Sequence, residues 1–310
     1  MSKHSAAAKR KDETRRRPAP GPVFGSVKLT RAERKVFPDG KNKGDVARYY
    51  AAVMPHLLAA IANRPLSIVR CPEGISAACF FQKHLTAGFK LVRSVRLHEE
   101  SGDTGDYLFA ASADEVFELV QFNALEFHPW AATIDDTEHT DYLVFDLDPG
   151  PGVTWSRVVA AAELVHERCA AEGLTAFLRT SGGKGLHVVV PLRPAVAWNT
   201  AKEFAQSFAR SIAESKPQEF IATASKQRRQ GKIFIDYLRN ARGATSVASY
   251  SLRARPGASV ATPLRWDELH LLKSPTAFSM RNVPARLRSL HADPWQGFDS
   301  VRQGIDENGV

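Results

Sequence analysis

A mixed α+β fold is predicted for this 310-residue chain, because segments with helical spacing of apolar residues are interspersed with segments that alternate as strands do. Residues 44–61 repeat apolar residues every three or four positions, whereas residues 141–150 alternate in the manner of a strand. The chain is 44% hydrophobic, enough to bury one large core or two modest ones. We therefore expect one folded catalytic unit, built as one lobe or two, and not a disordered protein.

The elements can be assigned in order along the chain. Helices are predicted over residues 44–61, 113–125, 154–173 and 199–214, and strands over 65–70, 141–150, 174–180, 186–192, 232–238 and 244–256. Thr154 is expected to be the N-cap of the third helix and Gly173 its stop. This order, with its β-hairpins, does not fit a regular doubly wound sheet, which is why α+β is favoured.

The net charge of +9 is concentrated at one end of the chain. Residues 1–22 carry seven Lys or Arg against Asp12 and Glu13 and are rich in Ala and Pro, so residues 1–24 are predicted to be a disordered basic linker or tail. The folded domain is predicted over 25–298 and a C-terminal tail over 299–310. No long apolar run and no secretory signal are visible, so we expect a cytoplasmic protein without a membrane partner.

The three cysteines predict neither a disulfide framework nor a zinc site. Cys71, Cys79 and Cys169 are odd in number and form no CxxC pair. We expect them to be small buried thiols.

Asp146 and Asp148 are the first candidates for chemistry. In a strand over 141–150 they lie two residues apart and project from the same face, while Leu147 between them faces the core. Two adjacent carboxylates repel each other, and a shared divalent cation removes that repulsion. Asp236, in the apolar strand IFID, would complete a site of hard oxygen ligands suited to Mg²⁺ or Mn²⁺. The alternative for a bare DxD is a solvated turn acid beside a surface acid.

A glycine-rich segment between two predicted strands, Ser181–His187 (SGGKGLH), is a candidate phosphate cradle. Its three glycines allow backbone N–H groups to converge on an anion, and Ser181, Lys184 and His187 add donors. It is not a Walker A loop, since that spacing is absent and a strand follows it. The alternative is a glycine-rich hairpin turn.

Arg253 and Arg255 are two cations with the same spacing as Asp146 and Asp148, two residues apart on a predicted strand. If SYSLRARP is a strand, the two guanidinium groups share a face and can reach one polyanion, of which a triphosphate is the natural candidate. The alternative is an exposed basic edge strand.

Four motifs taken together resemble a known family. FDLDPG, SGGKGLH, FIDYLRNARG and SYSLRARPG, in this order and spacing, resemble the archaeo-eukaryotic primase superfamily and in particular the polymerase domain of bacterial DNA ligase D. The resemblance covers about residues 25–298. It implies a primase-polymerase fold, in which two β-rich modules flanked by helices hold a central active-site cleft. It also implies a template-dependent polymerase that fills gaps and extends ends in non-homologous end joining.

The resemblance implies a role for each matching residue. The metal ligands would be Asp146, Asp148 and Asp236, holding two Mn²⁺ or Mg²⁺ ions; the incoming NTP or dNTP would be held by Ser181, Lys184, His187, Arg253 and Arg255. His128, in EFHPW, matches a histidine beside the nucleotide, although such a residue is otherwise typical of a core or turn. Phe80 and Phe81, in CFFQKH, match an aromatic position that stacks on a template base, and we expect at least one of the two to be core.

The segment LTRAERKVFPDGKNKGDVARYY, residues 29–50, resembles the region that binds the 5′-phosphate across a DNA gap. Lys43 is the best match for the phosphate-binding lysine and Arg34 a weaker companion, whereas Arg31 and Ala32 depart from the family's pattern. A solvated basic loop is the alternative. The resemblance further implies association with the nucleoid, ligase and nuclease domains in the same larger protein, the end-binding protein Ku as a partner, and a preference for ribonucleotides.

Two other function classes stay open. A replicative primase, or another nucleotidyltransferase with the same site, would differ in its need for a primer. A catalytically idle DNA-binding module would keep the fold, but the presence of all three carboxylates and both arginines argues against it.

Overall fold

The computed structural model describes residues 21–99 and 102–305. The helices are α1 (Lys43–Ile61), α2 (Ala113–Gln121), α3 (Trp155–Ala171), α4 (Trp198–Ser215) and α5 (Val283–Ser289). The strands are β1 (Val23–Phe24), β2 (Val27–Lys28), β3 (Leu66–Arg70), β4 (Phe80–Gln82), β5 (Arg93–His98), β6 (Thr104–Phe109), β7 (Ala124–Pro129), β8 (His139–Pro149), β9 (Phe177–Thr180), β10 (Leu186–Ala197), β11 (Phe220–Ile221), β12 (Ile233–Asp236) and β13 (Pro263–Leu264).

Two β-rich modules flanked by helices form the fold, as predicted. In the first, α1 and α2 pack on the three-stranded sheet β4-β3-β7, and their apolar residues share one core. In the second, α3 and α4 pack on a six-stranded sheet of order β11-β12-β8-β10-β9-β13 and form a separate core. The mixed α+β class is therefore confirmed.

The two faces of the six-stranded sheet have different chemistry because β8 alternates. Leu143, Phe145 and Leu147 are fully buried in the core that α3 and α4 cover. Asp146 and Asp148 project from the opposite face, toward the first module. The strand alternation read from the sequence is therefore confirmed, and it puts both carboxylates at the junction of the modules.

Helices α1, α3 and α4 agree with prediction, whereas α2 ends early and α5 was not predicted. Helix α2 stops at Gln121 instead of residue 125, because Asn123 adopts a φ of 65° and the chain then enters β7. Gly173, with a φ of 72°, follows the end of α3 as expected. Thr154 precedes α3, but its side chain makes no capping hydrogen bond.

Both predicted domain boundaries differ from the structure. Residues 1–20 and 306–310 of the predicted tails lie outside the described residues. Within the described part, β1 already pairs with β2 before residue 25. At the other end, Ile305 is buried against the second core and the Gln303 side chain donates to the carbonyl oxygens of Thr175 and Pro191. Packing therefore extends the domain past residue 298.

The cysteine prediction is wrong for two of the three residues. Cys71 and Cys79 form a disulfide, because the turn between them, closed by a hydrogen bond from Gly74 N to Cys71 O, returns the chain on itself. Cys169 is a free buried thiol, as expected. The pairing depends on a turn that cysteine count and spacing do not reveal.

The strand predicted over residues 244–256 is also wrong. Its only ladder contact among the described residues is an isolated bridge between Leu252 and Val260. Residues 253–258 instead form a tight turn, with hydrogen bonds from Arg253 N to Ser259 O and from Ala258 N to Arg255 O.

Among the helices of the described residues, none has the length and apolar character that a membrane span needs.

Candidate active site

Register places four polar side chains in one row across the six-stranded sheet. Asp236 on β12 lies opposite Asp146 on β8, Asp146 lies opposite His187 on β10, and His187 lies opposite Arg179 on β9. Side chains at directly opposed positions share a face of the sheet. Asp148, two residues beyond Asp146, extends the acidic end of this row.

The carboxylates are paired with arginines that the sequence argument did not single out. Arg239 Nε lies 3.2 Å from Asp236 Oδ2 and 3.8 Å from Asp146 Oδ2. Arg229 donates to Asp148 Oδ2 at 2.7 Å. Burial raises the pKa of Asp146 to about 7, with the neighbouring carboxylates adding to the rise and Arg239 opposing it. Burial also raises the pKa of Asp236.

The three aspartates are suitable ligands for a hard cation, although their side chains do not converge on one point. Within residues 21–99 and 102–305, no group of three His, Cys, Asp or Glu side chains is close enough to hold a metal ion. Asp146, Asp148 and Asp236 nevertheless supply only oxygen ligands from adjacent strand positions, as Mg²⁺ and Mn²⁺ require. A bound cation would replace Arg229 and Arg239 as the positive partner of these carboxylates.

The glycine-rich loop is held closed by Ser181. Its hydroxyl donates to Gly185 O at 2.9 Å and accepts from the amides of Gly183 and Gly185 at 3.2 and 3.3 Å. These two amides therefore point at Ser181 and not at a free anion. Glycine is required at 185, where a Cβ would lie 2.0 Å from the carbonyl oxygen of Leu147.

Arg253 and Arg255 line one cleft although they are not on a strand. Arg253 donates to Ser181 O at 2.6 Å and to Glu126 Oε2 at 3.0 Å, whereas Arg255 is exposed and lies beside Gly183. The prediction that a shared strand face brings the two arginines together is wrong. The turn at 253–258 brings them to the loop instead.

Glu126, which lies behind the cleft-lining residues His128 and Arg253, is another residue that the sequence argument missed. It is 5% exposed, and its carboxylate contacts His128 Nε2 at 2.8 Å. Although burial opposes ionisation, His128 and Arg253 hold the pKa of Glu126 at about 2. A signal was available, because Glu126 and His128 are two residues apart within EFHPW and so share a strand face.

His128 and Phe81 meet at the wall formed by the first module. Their rings lie 5.4 Å apart, edge to face. Phe80 and Phe81 are 46% and 68% exposed, so the expectation that one of them is core is wrong. They alternate on β4: Phe81 lines the cleft, and Phe80 instead lies under the guanidinium of Arg70.

The residues predicted to bind the nucleotide and metals are thus brought to one cleft of about 380 Å³. Its lining includes the following predicted residues: Phe81, His128, Asp146, Asp148, Ser181, Lys184, His187, Arg253 and Arg255. Asp236 lies directly opposite Asp146, next to this lining. Lys43, Arg34 and Phe80 are not among its walls.

Lys43 begins α1 and is buried instead of solvated. Its ammonium donates to the carbonyl oxygens of Thr30 and Gln121 and to Gln121 Oε1. Burial, together with the charges of Arg34 and Arg31, lowers its pKa to about 8. Arg34 pairs with Glu73, whereas Lys43 and Arg31 have no ion-pair partner among the described residues.

A mixed α+β fold in which carboxylates and cations line one cleft is typical of the nucleotidyltransferase class of protein. Residues 42–295 match the family model described as the LigD primase-polymerase domain. The chain belongs to this family, and it is a primase-like nucleotidyltransferase.

Relatives and a solved structure agree with this assignment. The chain is 39% identical over 283 residues to the multifunctional non-homologous end joining protein LigD of Pseudomonas aeruginosa, covering 90% of this chain and 34% of that protein. It is 35% identical to the LigD of Mycobacterium tuberculosis over 78% of this chain and 33% of that protein. The structure of the polymerase domain of Mycobacterium tuberculosis ligase D in complex with DNA aligns with a TM-score of 0.81 and 31% identity, covering 88% of this chain and 98% of that one. The chain thus spans about a third of the length of these two curated relatives.

Proposed function

We propose that this protein is a template-dependent DNA-end polymerase that adds nucleotides to a primer 3′-hydroxyl at gaps and breaks during non-homologous end joining. The observation that supports this most directly is the composition of the cleft. Asp146 and Asp148 line the cleft together with Lys184, Arg253 and Arg255, and Asp236 lies directly opposite Asp146, as a nucleotidyl transfer to a triphosphate requires. The names of the LigD relatives support the repair role.

In this proposal Asp146, Asp148 and Asp236 hold two Mn²⁺ or Mg²⁺ ions. Such ions lower the pKa of an attacking hydroxyl and neutralise charge on the leaving pyrophosphate. The carboxylates themselves contribute little to holding DNA, because their charge repels the phosphate backbone.

The remaining cleft residues bind and orient the nucleotide, an NTP such as ATP or a dNTP. Lys184 and Arg255 are exposed and meet the triphosphate as mobile cations, whereas Arg253 is fixed by Glu126. His187 is neutral, because burial and the charge of Arg179 hold its pKa well below the usual range, so it binds as a hydrogen-bond partner and not as a cation. Ser181 sets the loop shape, and His128 closes the side of the cleft.

The template strand would stack on Phe81. Its exposed ring offers a surface that accepts any base, and the His128 ring behind it limits its movement. The preference for ribonucleotides is part of the proposal and rests on the family resemblance alone.

A primer-extension assay on labelled gapped DNA tests the proposal. NTP and dNTP are compared, each with Mg²⁺ and with Mn²⁺. We expect templated addition that requires a primer and a divalent cation and is more efficient with NTP. Synthesis without a primer would instead indicate a primase, and DNA binding without any nucleotide addition would indicate an idle DNA-binding module.

We further propose that DNA ends with a 5′-phosphate are recognised at the start of α1. Besides burial, the charges of Arg34 and Arg31 lie close enough to Lys43 to lower its pKa, and only Glu73 forms an ion pair with any of these three cations among the described residues. A phosphate dianion relieves such repulsion. To reach Lys43 it must take the place of one of the three oxygens that the ammonium contacts. Ku and the ligase and nuclease domains of a larger protein are the proposed partners at these ends.

The test compares gapped DNA that ends in a 5′-phosphate or a 5′-hydroxyl, at one salt concentration. The phosphate end should bind more tightly by about 1–3 kcal/mol. Because the pKa of Lys43 is about 8, this preference should shrink as the pH rises from about 7 to about 9 and the ammonium loses its proton. Lys43→Ala should remove most of the preference, and Lys41→Ala, whose side chain pairs with Asp39, is the matched control. Equal losses for both ends would make Lys43 part of a general basic surface.

A further inference from the structure

Arg179 is a buried guanidinium for which the described residues provide no carboxylate partner. It is 4% exposed, and burial lowers its pKa to about 10, so it keeps its proton at neutral pH. No ion pair within residues 21–99 and 102–305 includes it. The charge of Asp146 favours the ionised guanidinium from beyond ion-pair distance. A buried charge without a direct ion pair is still costly to the folded state. Its retention is therefore explained better by a use than by stability.

The contacts of Arg179 all go to neutral groups. Its Nε donates to His187 Nδ1 at 3.2 Å, and its terminal nitrogens donate to the hydroxyls of Ser246 at 3.0 Å and Ser249 at 3.5 Å. The guanidinium carbon lies 5.7 Å from the Trp295 ring centroid. These contacts hold the guanidinium in place behind the His187 imidazole.

The contact with Arg179 decides which nitrogen of His187 carries the proton. A guanidinium has donors and no acceptor, so Nδ1 must offer its lone pair. A neutral imidazole that accepts at Nδ1 has its proton on Nε2. Nε2 lies 3.5 Å from Asp146 Oδ1. The donor therefore faces the carboxylate, whereas the other tautomer would oppose a lone pair to it.

We propose that Arg179 is a positioning residue, which acts through His187 to keep the imidazole proton on Nε2 and so presents a donor to Asp146 and to an anion in the cleft. The register of three strands carries this inference, since Arg179, His187 and Asp146 are directly opposed on β9, β10 and β8. Its relevance to catalysis rests on the proposed polymerase function. A residue that only packed the core would have no effect on the tautomer.

Nitrogen-15 NMR of histidine-labelled protein reads the tautomer directly. The chain has ten histidines, and a His187→Asn spectrum identifies the signals of this one. In the wild type we expect the pattern of a neutral Nε2–H imidazole. Arg179→Met should give a mixture of tautomers, while Arg210→Met, at an exposed position of α4, should leave the wild-type pattern. An Nδ1–H pattern in the wild type, or an unchanged pattern in Arg179→Met, would overturn the inference.

Stability and activity provide the second readout. Because methionine removes a buried charge and fills a similar volume, Arg179→Met should keep or raise the unfolding temperature. Its kcat/KM for nucleotide addition should nevertheless fall about 10- to 100-fold, as is typical for the loss of one hydrogen bond to a charged group. If the variant does not fold, Ser246→Ala removes one anchor of the guanidinium and should shift the tautomer partly. Full activity despite a changed tautomer would refute the link to catalysis.

The two hypotheses fail separately. An inactive wild type with an Arg179-dependent histidine spectrum would overturn the proposed polymerase function and leave the positioning of His187 established. An active wild type whose histidine spectrum is unaffected by Arg179→Met would support the polymerase function and overturn the positioning of His187 by Arg179.

Discussion

Glu126→Gln should loosen the cleft, because the Glu126 carboxylate joins three parts of the fold. It lies on β7 and accepts from His128 Nε2, from Arg253 Nε and, at 2.7 Å, from the backbone N–H of Ala254. Arg253 in turn donates to the carbonyl oxygen of Ser181 in the glycine-rich loop. Glutamine keeps the shape of the side chain and removes the charge, so it tests the ion pair and leaves the volume unchanged.

The pKa of Glu126 sets the magnitude. A value of about 2 in place of the ordinary 4.5 corresponds to about 3 kcal/mol in favour of the ionised folded state. For a carboxyl whose pKa is lowered by folding, this stabilisation is complete above about pH 5 and disappears as the pH falls toward 2. At pH 3 less than half of it should remain. Because the amide keeps part of the hydrogen bonding, we expect Glu126→Gln to lower the free energy of unfolding by about 2–3 kcal/mol at pH 7.

Urea denaturation of wild type and variant at pH 7 and pH 3 measures this effect. The difference between the two proteins should be smaller at pH 3 by about 2 kcal/mol, because only the wild type loses this stabilisation. Nucleotide-addition kinetics should show a raised KM, since Arg253 loses the carboxylate that orients it. The matched control is Glu118→Gln. That residue is as buried, but it bonds to the amides of residues 90–92 outside the cleft, so it should lose stability with KM unchanged. Equal stability of wild type and Glu126→Gln at pH 7, or an unchanged KM, would refute the reasoning.

Three further predictions concern single residues of the cleft. Asp146→Ala and Asp148→Ala should each abolish primer extension and leave DNA affinity nearly unchanged in an anisotropy titration, since carboxylates do not hold DNA; normal extension would remove the proposed metal site. Arg253→Ala and Arg255→Ala should both raise KM and lower kcat for the nucleotide, because charge on the triphosphate grows toward the transition state. Only Arg253→Ala should also lower the free energy of unfolding, because Arg253 is paired with Glu126 whereas Arg255 is exposed. An unchanged kinetic profile would show that neither arginine binds the nucleotide. Phe81→Ala should weaken binding of single-stranded template by about 1–3 kcal/mol, and Phe80→Ala, outside the cleft, by less. Equal effects of these two would exclude Phe81 as the specific stacking residue.

The amino-acid sequence by itself determined the features that depend on neighbouring residues. Alternation along β8 predicted that Asp146 and Asp148 share a face, and the structure confirms it. The apolar periodicity predicted α1, α3 and α4 within one or two residues. Order and spacing of four motifs indicated the family. Each of these signals depends on neighbouring residues or on the order of motifs along the chain, and both can be read from the sequence without a folded structure.

Only the tertiary structure decided which distant residues meet. The row of Asp236, Asp146, His187 and Arg179 depends on the register of four strands, which packing between distant segments determines and no local pattern encodes. The Cys71–Cys79 disulfide depends likewise on a turn.

Burial changed the meaning of single residues in the same way. Lys43 reads as a surface cation in the sequence, yet the first turn of α1 packs against residues 30–34 and encloses its ammonium among three oxygens. Glu126 reads as an ordinary strand acid, and the turn at 253–258 makes it the partner of Arg253. Charge is a property of the residue type, whereas solvent access and the partner of a charge are properties of the packed chain, so the sequence shows which side chains are charged but not what surrounds them.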